Sequence, residues 1–124
     1  MKIRFFICNH CGNIIAMIKD SGISVKCCGE EMKEIIPGTS GGAQEKHLPV
    51  YNVNGETVTV SVGAAEHPMT PEHYIEWVCV ESDEGLQFKK LNPNASPRVS
   101  FSLTKGEKIK TVYAFCNMHS LWKS

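Results

Sequence analysis

Four cysteines near the amino terminus restrict what this chain can fold into more than any other feature of its sequence. Cys8 and Cys11 form a Cys-x-x-Cys pair, and Cys27 and Cys28 follow as direct neighbours after fifteen intervening residues. Two thiolates on one tight turn can bind a single ion, and a second pair completes a tetrahedral set of four sulfurs. The spacing therefore predicts a four-cysteine metal site, but it does not choose between zinc and iron, since both accept four thiolates.

The segment around these cysteines is too short to fold by burial of apolar side chains alone. Residues 1–36 number fewer than the roughly 40 below which a chain usually needs a metal, a disulfide or a partner. No signal peptide is expected at the amino terminus, and no apolar run approaches the roughly 18 residues of a membrane span. We therefore expect a cytoplasmic protein, in which reduced cysteines serve as metal ligands rather than as disulfides.

The charge balance argues against one class of function. The 124 residues include 13 Lys and Arg and 13 Asp and Glu, so the formal net charge is zero. A dedicated nucleic-acid or membrane-surface binder would need a basic excess. Neither nucleic acid nor a membrane is an expected partner.

Short β patterns fill the rest of the chain, after a Gly-rich stretch at residues 37–43 that is typical of a linker or mobile loop. Residues 57–62 alternate polar and apolar side chains, and Asn54-Gly55 before them predicts a hairpin turn. In the segment 74–80 the same alternation places Trp77 on one face with Ile75 and Cys79. No segment has a helical period of sufficient length. An all-β sandwich or barrel is expected, with strands near 50–53, 57–62, 74–80, 86–91, 99–104 and 110–116.

A second group of metal-binding side chains lies in this β segment. It contains four of the five histidines and ends in a Cys-x-x-His pair. Five candidate ligands are one too many for a tetrahedral structural zinc, and imidazoles with one thiolate suit iron or copper. The candidates are His47, His67, His73, Cys116 and His119.

Together these motifs resemble the desulfoferrodoxin family, the two-iron superoxide reductases. The resemblance covers nearly the whole chain and rests on both clusters occurring in order. The matching motifs are Cys8/Cys11/Cys27/Cys28, Glu45-Lys46-His47, His67-Pro68-Met69, His73-Tyr74-Ile75-Glu76-Trp77 and Cys116-Asn-x-His119. One departure is Ser120, where the family pattern leads us to expect glycine.

The resemblance implies a mainly β protein: a desulforedoxin-like module at 1–36 that holds an FeS4 centre, and an immunoglobulin-like β-sandwich at 37–124. The sandwich would hold a non-haem iron through four equatorial histidines, His47, His67, His73 and His119, and an axial Cys116 thiolate. Such a site would reduce superoxide to hydrogen peroxide by one electron and be re-reduced by a rubredoxin-type donor. Family members are typically homodimers.

Two charged residues beside His47 are expected to assist the reaction. Because the protein has no net charge, attraction of the superoxide anion must be local, and the ammonium group of Lys46 could steer it and order a proton-delivering water. In the family, the residue matching Glu45 can occupy the sixth position of the oxidised iron, which would aid departure of the product.

Two other readings of the sequence compete with this one. A cupredoxin-like electron carrier would fit a β-sandwich with Cys116 and His119 near its end, but such proteins need only two histidines and usually a later Met, which is absent after His119. A zinc ribbon joined to a β binding domain would leave four clustered histidines without a role. Cys79 belongs to neither cluster, and we interpret it as a buried, inert thiol.

Overall fold

The computed structural model describes residues 3–38, 42 and 44–124, and nearly all of their regular structure is β. The predicted mainly β fold class is confirmed. The chain separates into two units, Met1–Ile36 and Pro37–Ser124. Of the Gly-rich stretch predicted as a linker, residues 39–41 and 43 lie outside the described residues. Among the described residues, no helix has the length and apolar character needed to cross a membrane.

The first unit contains five short strands. A three-stranded antiparallel sheet has the order β2-β1-β5, and β3 pairs with β4 in a separate hairpin. Its few buried apolar side chains include Ile3, Phe5 and Ile35. The strands are β1 (Arg4–Ile7), β2 (Ile14–Met17), β3 (Lys26–Cys27), β4 (Glu30–Glu31) and β5 (Lys33–Ile35).

The second unit contains two antiparallel sheets, with strand orders β10-β7-β6 and β12-β11-β8-β9. A single helical turn, α1 (Gln44–His47), precedes them. Six of the seven strands lie where the hydrophobic alternation predicts them, and β12 was not predicted. The strands are β6 (Pro49–Asn54), β7 (Thr57–Val62), β8 (Ile75–Ser82), β9 (Gly85–Lys90), β10 (Arg98–Ser102), β11 (Ile109–Cys116) and β12 (Ser120–Lys123).

The core of this unit is formed by alternate residues of β7, β8 and β11. In β7 the side chains of Val58, Val60 and Val62 are almost fully buried, as period-2 alternation requires of a half-buried strand. Val112, Ala114 and Cys116 alternate in the same way along β11 and belong to the same apolar cluster. Cys116 is thus the last core residue of its strand as well as a ligand candidate.

A β-bulge corrects one expectation about β8. Phe115 pairs with Trp77 and Cys116 pairs with Ile75, so Glu76 is an extra residue without a partner in β11. Ile75 therefore shares the core with Val78. The expectation that Ile75 and Trp77 lie on one face is wrong, because the bulge shifts the alternation by one residue.

Candidate metal centres

The four amino-terminal cysteines converge in the first unit. Their sulfur atoms all lie within 4.8 Å of one another. The Sγ atoms of Cys11 and Cys27 are 3.6 Å apart, and the side-chain amide of Asn13 is 3.7 Å from Cys27 Sγ. Cys8 is buried, whereas Cys11 and Cys28 are exposed, so the group lies at the surface. Four sulfurs at these separations match the tetrahedral thiolate set of a closed metal site.

Backbone geometry explains how two adjacent cysteines can face the same point. Cys28 has a φ of +52°, in the left-handed region that residues other than glycine rarely adopt. This conformation turns the chain sharply, so that neighbouring side chains can converge instead of pointing to opposite sides. Cys28 and Gly29, whose φ is +78°, are the two residues of the turn that joins β3 to β4, and a two-residue hairpin turn with positive φ at both positions accounts for this conformation.

The pKa shifts of Cys8 and Cys28 favour a bound cation. Backbone N–H groups of Cys11 and His10 lower the pKa of Cys8 to about 6. Hydrogen bonds with the neighbouring thiols of Cys11 and Cys8 raise the pKa of Cys28 to about 12. Without a metal the group therefore does not ionise fully near neutral pH. A bound cation would stabilise the thiolates and allow all of them to form.

The remaining histidine and cysteine of the sequence lie outside both ligand groups. His10 is exposed, and its Nε2 is 3.1 Å from Oε1 of Glu30. Cys79 is fully buried. Burial raises the pKa of Cys79 to about 12, which keeps it a thiol and unreactive.

The second ligand group lies where strand ends of both sheets meet. His47 ends α1 just before β6, and a turn after β7 leads to His67. His73 precedes β8, while Cys116 ends β11 and His119 precedes β12. The strand register places these ends side by side, since Pro49 pairs with Val62, Ile75 with Cys116 and Cys116 with Ser120.

The four imidazole rings are arranged as a square. Their centroids are separated by 4.6 Å for His47–His67, 4.8 Å for His67–His73, 5.2 Å for His73–His119 and 4.8 Å for His47–His119. His47 and His73, on one diagonal, are 6.5 Å apart. Rings that are adjacent in the square are inclined at 68–83°. Four imidazoles in this arrangement can direct one nitrogen each toward a common centre.

Unsatisfied nitrogen atoms identify which ring positions face that centre. Nε2 of His67 and Nε2 of His73 are buried without a hydrogen-bond partner. Buried polar atoms are normally hydrogen-bonded, and a metal ion bound by both nitrogens would account for the missing partners. On His67 the other nitrogen, Nδ1, lies 2.7 Å from the carbonyl oxygen of Pro68, to which it donates when Nε2 binds a metal. Burial lowers the pKa of His67 to about 4, which keeps the ring neutral and able to bind a cation.

His119 presents its Nδ1 atom to the same group. This atom is 3.1 Å from Nε2 of His47 and 3.9 Å from Sγ of Cys116. The most compact set of ligand atoms consists of His47, His67, His73 and Cys116, which lie within 4.8 Å of one another. His119 adjoins this set and completes the square of rings.

Cys116 is fully buried, and its Sγ lies within 4.8 Å of a ring nitrogen of each of His47, His67 and His73. Burial raises the pKa of its thiol. The backbone N–H groups of Met118 and His119 lower this pKa again, and the backbone nitrogen of His119 is 3.4 Å from Sγ of Cys116. Two N–H donors stabilise a thiolate at a position where solvent does not.

Lys46 and Glu45 lie on α1, and both side chains are exposed. Positive charge on Lys46 contributes to a lowered pKa of His73, after the larger effects of burial and of His119. The ammonium group is therefore close enough to influence the histidine group electrostatically. Glu45 is held through its backbone, since its carbonyl oxygen accepts a hydrogen bond from the N–H of Ala65 at 3.1 Å.

Two glycines contact the ligand segments: Gly42, which the sequence pattern assigned only to the linker at 37–43, and Gly63, to which it assigned no role. A Cβ atom added to Gly42 would lie 3.0 Å from Cε1 of His47 and 3.0 Å from Cγ of His119. A Cβ atom added to Gly63 would lie only 2.6 Å from the carbonyl oxygen of Lys46. Neither contact leaves a signal in the sequence beyond the glycine itself.

Comparison with known proteins shows the family of the chain. The family model for desulfoferrodoxin matches residues 39–124. Desulfoferrodoxin from Clostridium acetobutylicum is 42% identical, over 98% of this chain and 95% of the relative. The crystal structure of the superoxide reductase from Treponema pallidum is 40% identical with a TM-score of 0.85, covering 100% of this chain and 99% of that one. A superoxide reductase (1Fe-SOR) from Giardia intestinalis is 31% identical with a TM-score of 0.55, covering 64% of this chain and 95% of that one. The chain belongs to the desulfoferrodoxin family.

Proposed function

We propose that this chain is a superoxide reductase, an oxidoreductase that reduces superoxide by one electron. The observation that carries the proposal is the square of four imidazole rings beside a buried cysteine, with two buried histidine nitrogens that have no hydrogen-bond partner. The relatives named superoxide reductase support the same assignment.

The donor groups fit iron in both units. The four-cysteine group and the group of His47, His67, His73 and Cys116 fit the two iron sites of desulfoferrodoxin. We propose that His119 would be the fourth histidine ligand, and that the thiolate of Cys116 would hold the iron together with the four imidazoles. Residues 1–36 would then form the FeS4 module and residues 37–124 the catalytic domain.

Ferrous iron in the histidine site would supply one electron to superoxide, which takes up two protons and leaves as hydrogen peroxide. The residues of the chain set the conditions for that step. The thiolate of Cys116 would donate electron density to a bound iron, and the N–H groups of Met118 and His119 stabilise that thiolate. A preorganised site of this kind needs little rearrangement during the reaction.

The charged residues of α1 would handle the substrate and the protons. Because the net charge is zero, Lys46 beside His47 is the residue proposed to attract the anion and to order a water that delivers a proton. Glu45, one residue earlier, is proposed to bind at the site after oxidation and to aid release of the product.

Turnover requires an electron donor. We propose a rubredoxin-type protein in this role, a cytoplasmic location where such donors are found, and a homodimer as the assembly. The four-cysteine group could relay electrons or only stabilise its module. The small core of the first unit favours the stabilising role.

Anaerobic stopped-flow mixing of the reduced protein with superoxide tests the proposed activity. We expect a second-order oxidation of the histidine-ligated centre, with one hydrogen peroxide formed per superoxide and no oxygen. Oxygen release would indicate dismutation instead, and an unchanged spectrum would exclude the reaction. Metal analysis separates the alternatives, because two irons per chain are expected here, one copper for a cupredoxin-like carrier and only zinc for a binding module.

A further inference from the structure

Gly63 begins the turn that joins β7 to His67, and it packs against the backbone of Lys46 in α1. Its φ is +88°, and a Cβ atom placed on it would overlap the carbonyl oxygen of Ala65 and lie 2.6 Å from the carbonyl oxygen of Lys46. Both neighbours are backbone atoms, so no rotation of a side chain could relieve the contact. Only glycine allows the two segments to approach this closely.

Hydrogen bonds from the same turn hold the backbone on either side of this contact. The N–H of Gly63 donates to the carbonyl of Leu48 at 3.0 Å, and the N–H of Ala65 donates to the carbonyl of Glu45 at 3.1 Å. These two hydrogen bonds hold the segment of Glu45, Lys46 and His47 at both ends, and the close approach of Gly63 to Lys46 lies between them.

The turn also fixes a second ligand candidate. The N–H of His67 donates to the carbonyl of Val62 at 3.3 Å, which closes the turn. The rings of His47 and His67 then lie with their centroids 4.6 Å apart. Two ligand candidates that are distant in the sequence thus share one backbone support.

We propose that Gly63 is a positioning residue that sets the separation of His47 and His67 and the location of Lys46 beside them. It does not touch the substrate or the metal, and it acts through the backbone of the α1 segment. The inference rests on the ligand set proposed above. Its test uses metal retention and hydrogen exchange, which do not depend on whether superoxide is the substrate.

Replacement of Gly63 by alanine tests the proposal, with Gly106→Ala as the matched control. Gly106 has nearly the same φ, +85°, but nothing lies within 4 Å of a Cβ atom added there. Both variants carry the strain of a left-handed alanine, and only Gly63→Ala adds the backbone overlap. The difference between them therefore isolates the close approach.

The readout is iron release from the reduced two-iron protein to a ferrous chelator, followed separately at the two sites. In Gly63→Ala we expect the histidine site to release iron at least about tenfold faster than in the wild type, the size of effect typical of residues that orient metal ligands. The Cys116-to-iron(III) absorption band should also shift. The four-cysteine site should be unchanged, as should both sites in Gly106→Ala. Equal release rates for the two variants at the histidine site would overturn the proposal.

A measurement on the wild type covers the case in which Gly63→Ala does not fold. If the turn and the metal site are coupled, hydrogen exchange at the amides of Gly63 and Ala65 should slow when the histidine site is loaded and speed up after chelation. Exchange in the hairpin turn at Gly55 should not respond. Exchange at Gly63 and Ala65 that is independent of iron would refute the coupling.

Discussion

The indole ring of Trp122 lies nearly parallel to the imidazole of His47, with ring centroids 4.8 Å apart and an angle of 23° between the planes. Its Nε1–H donates a hydrogen bond to the carbonyl oxygen of His119 at 2.9 Å. The side chain is only 2% exposed. One buried residue therefore fixes the ring of one ligand candidate and the backbone of another.

Replacing Trp122 with phenylalanine would keep an aromatic ring near His47 but remove the hydrogen bond to His119. We expect the free energy of unfolding of the iron-loaded protein to fall by about 1–3 kcal/mol, because a carbonyl loses its partner. The absorption of the histidine site should shift as well. Trp77→Phe is a suitable control, since Trp77 stacks on Phe115 rather than on a histidine. A shift of the same size in both variants would contradict the role given to Trp122.

Replacing Lys46 with alanine should slow the reaction with superoxide by about tenfold, because a local positive charge that attracts the anion is lost. The dependence of the rate constant on ionic strength should weaken at the same time. Stopped-flow measurements over a range of salt concentrations check both effects. Lys110→Ala changes the net charge equally at an exposed position in β11 and should have little effect. A rate constant unaltered by Lys46→Ala would remove this residue from the mechanism.

Replacing Cys116 with serine should abolish the thiolate-to-iron(III) absorption band of the histidine site and leave the band of the four-cysteine site in place. The reason is that a serine hydroxyl supplies no thiolate to the iron. Absorption spectra of the oxidised variant and wild type provide the measurement. If both bands persisted, the assignment of Cys116 as a ligand would be wrong.

Replacing Cys27 with serine tests the role of the four-cysteine group. We expect loss of that centre and faster proteolysis within residues 4–35, because metal binding supplies folding free energy on the order of 10 kcal/mol in small modules. Direct oxidation of the reduced histidine site by superoxide should continue at the wild-type rate. An intact, protease-resistant first unit in this variant would show that burial alone suffices there.

Replacing Ser120 with glycine should stabilise the protein. Ser120 has a φ of +65°, which costs a side-chain-bearing residue about 1–2 kcal/mol relative to its preferred conformations. Part of this gain is offset by the greater freedom of glycine in the unfolded chain, so we expect a net increase of about 0.5–1 kcal/mol. Chemical denaturation of the loaded protein measures it, and a decrease in stability would show that the Ser120 side chain makes a compensating contribution.

Local patterns account for the parts of the fold that sequence reasoning predicted correctly. Alternation along 57–62 and 110–116 identifies strands, and the Cys-x-x-Cys and Cys-x-x-His spacings point to ligands, because these signals lie within a few residues of each other. The strand at Ser120–Lys123 was missed since four residues carry too little alternation. The positions of Ile75 and Trp77 were misassigned because a bulge leaves no mark in a single sequence.

The supports of the histidine site depend on contacts between distant segments. Trp122 stacks on His47, and Gly63 packs against the backbone of Lys46. A tryptophan near the end of a strand and a glycine after another are unremarkable until the fold brings them to the ligands. Sequence patterns therefore identified the candidate ligands, while the residues that hold them in place required coordinates.

The alternation along β11 has a consequence for how the protein acquires its metal. Val112, Ala114 and Cys116 point to the same side of the strand, so a slip of one residue in pairing would turn the sulfur outward together with the apolar side chains. A chain that misaligns this strand could not assemble the histidine–cysteine centre. Metal binding at that centre therefore requires the correct strand alignment, and a molecule with the slipped pairing would lack this ion.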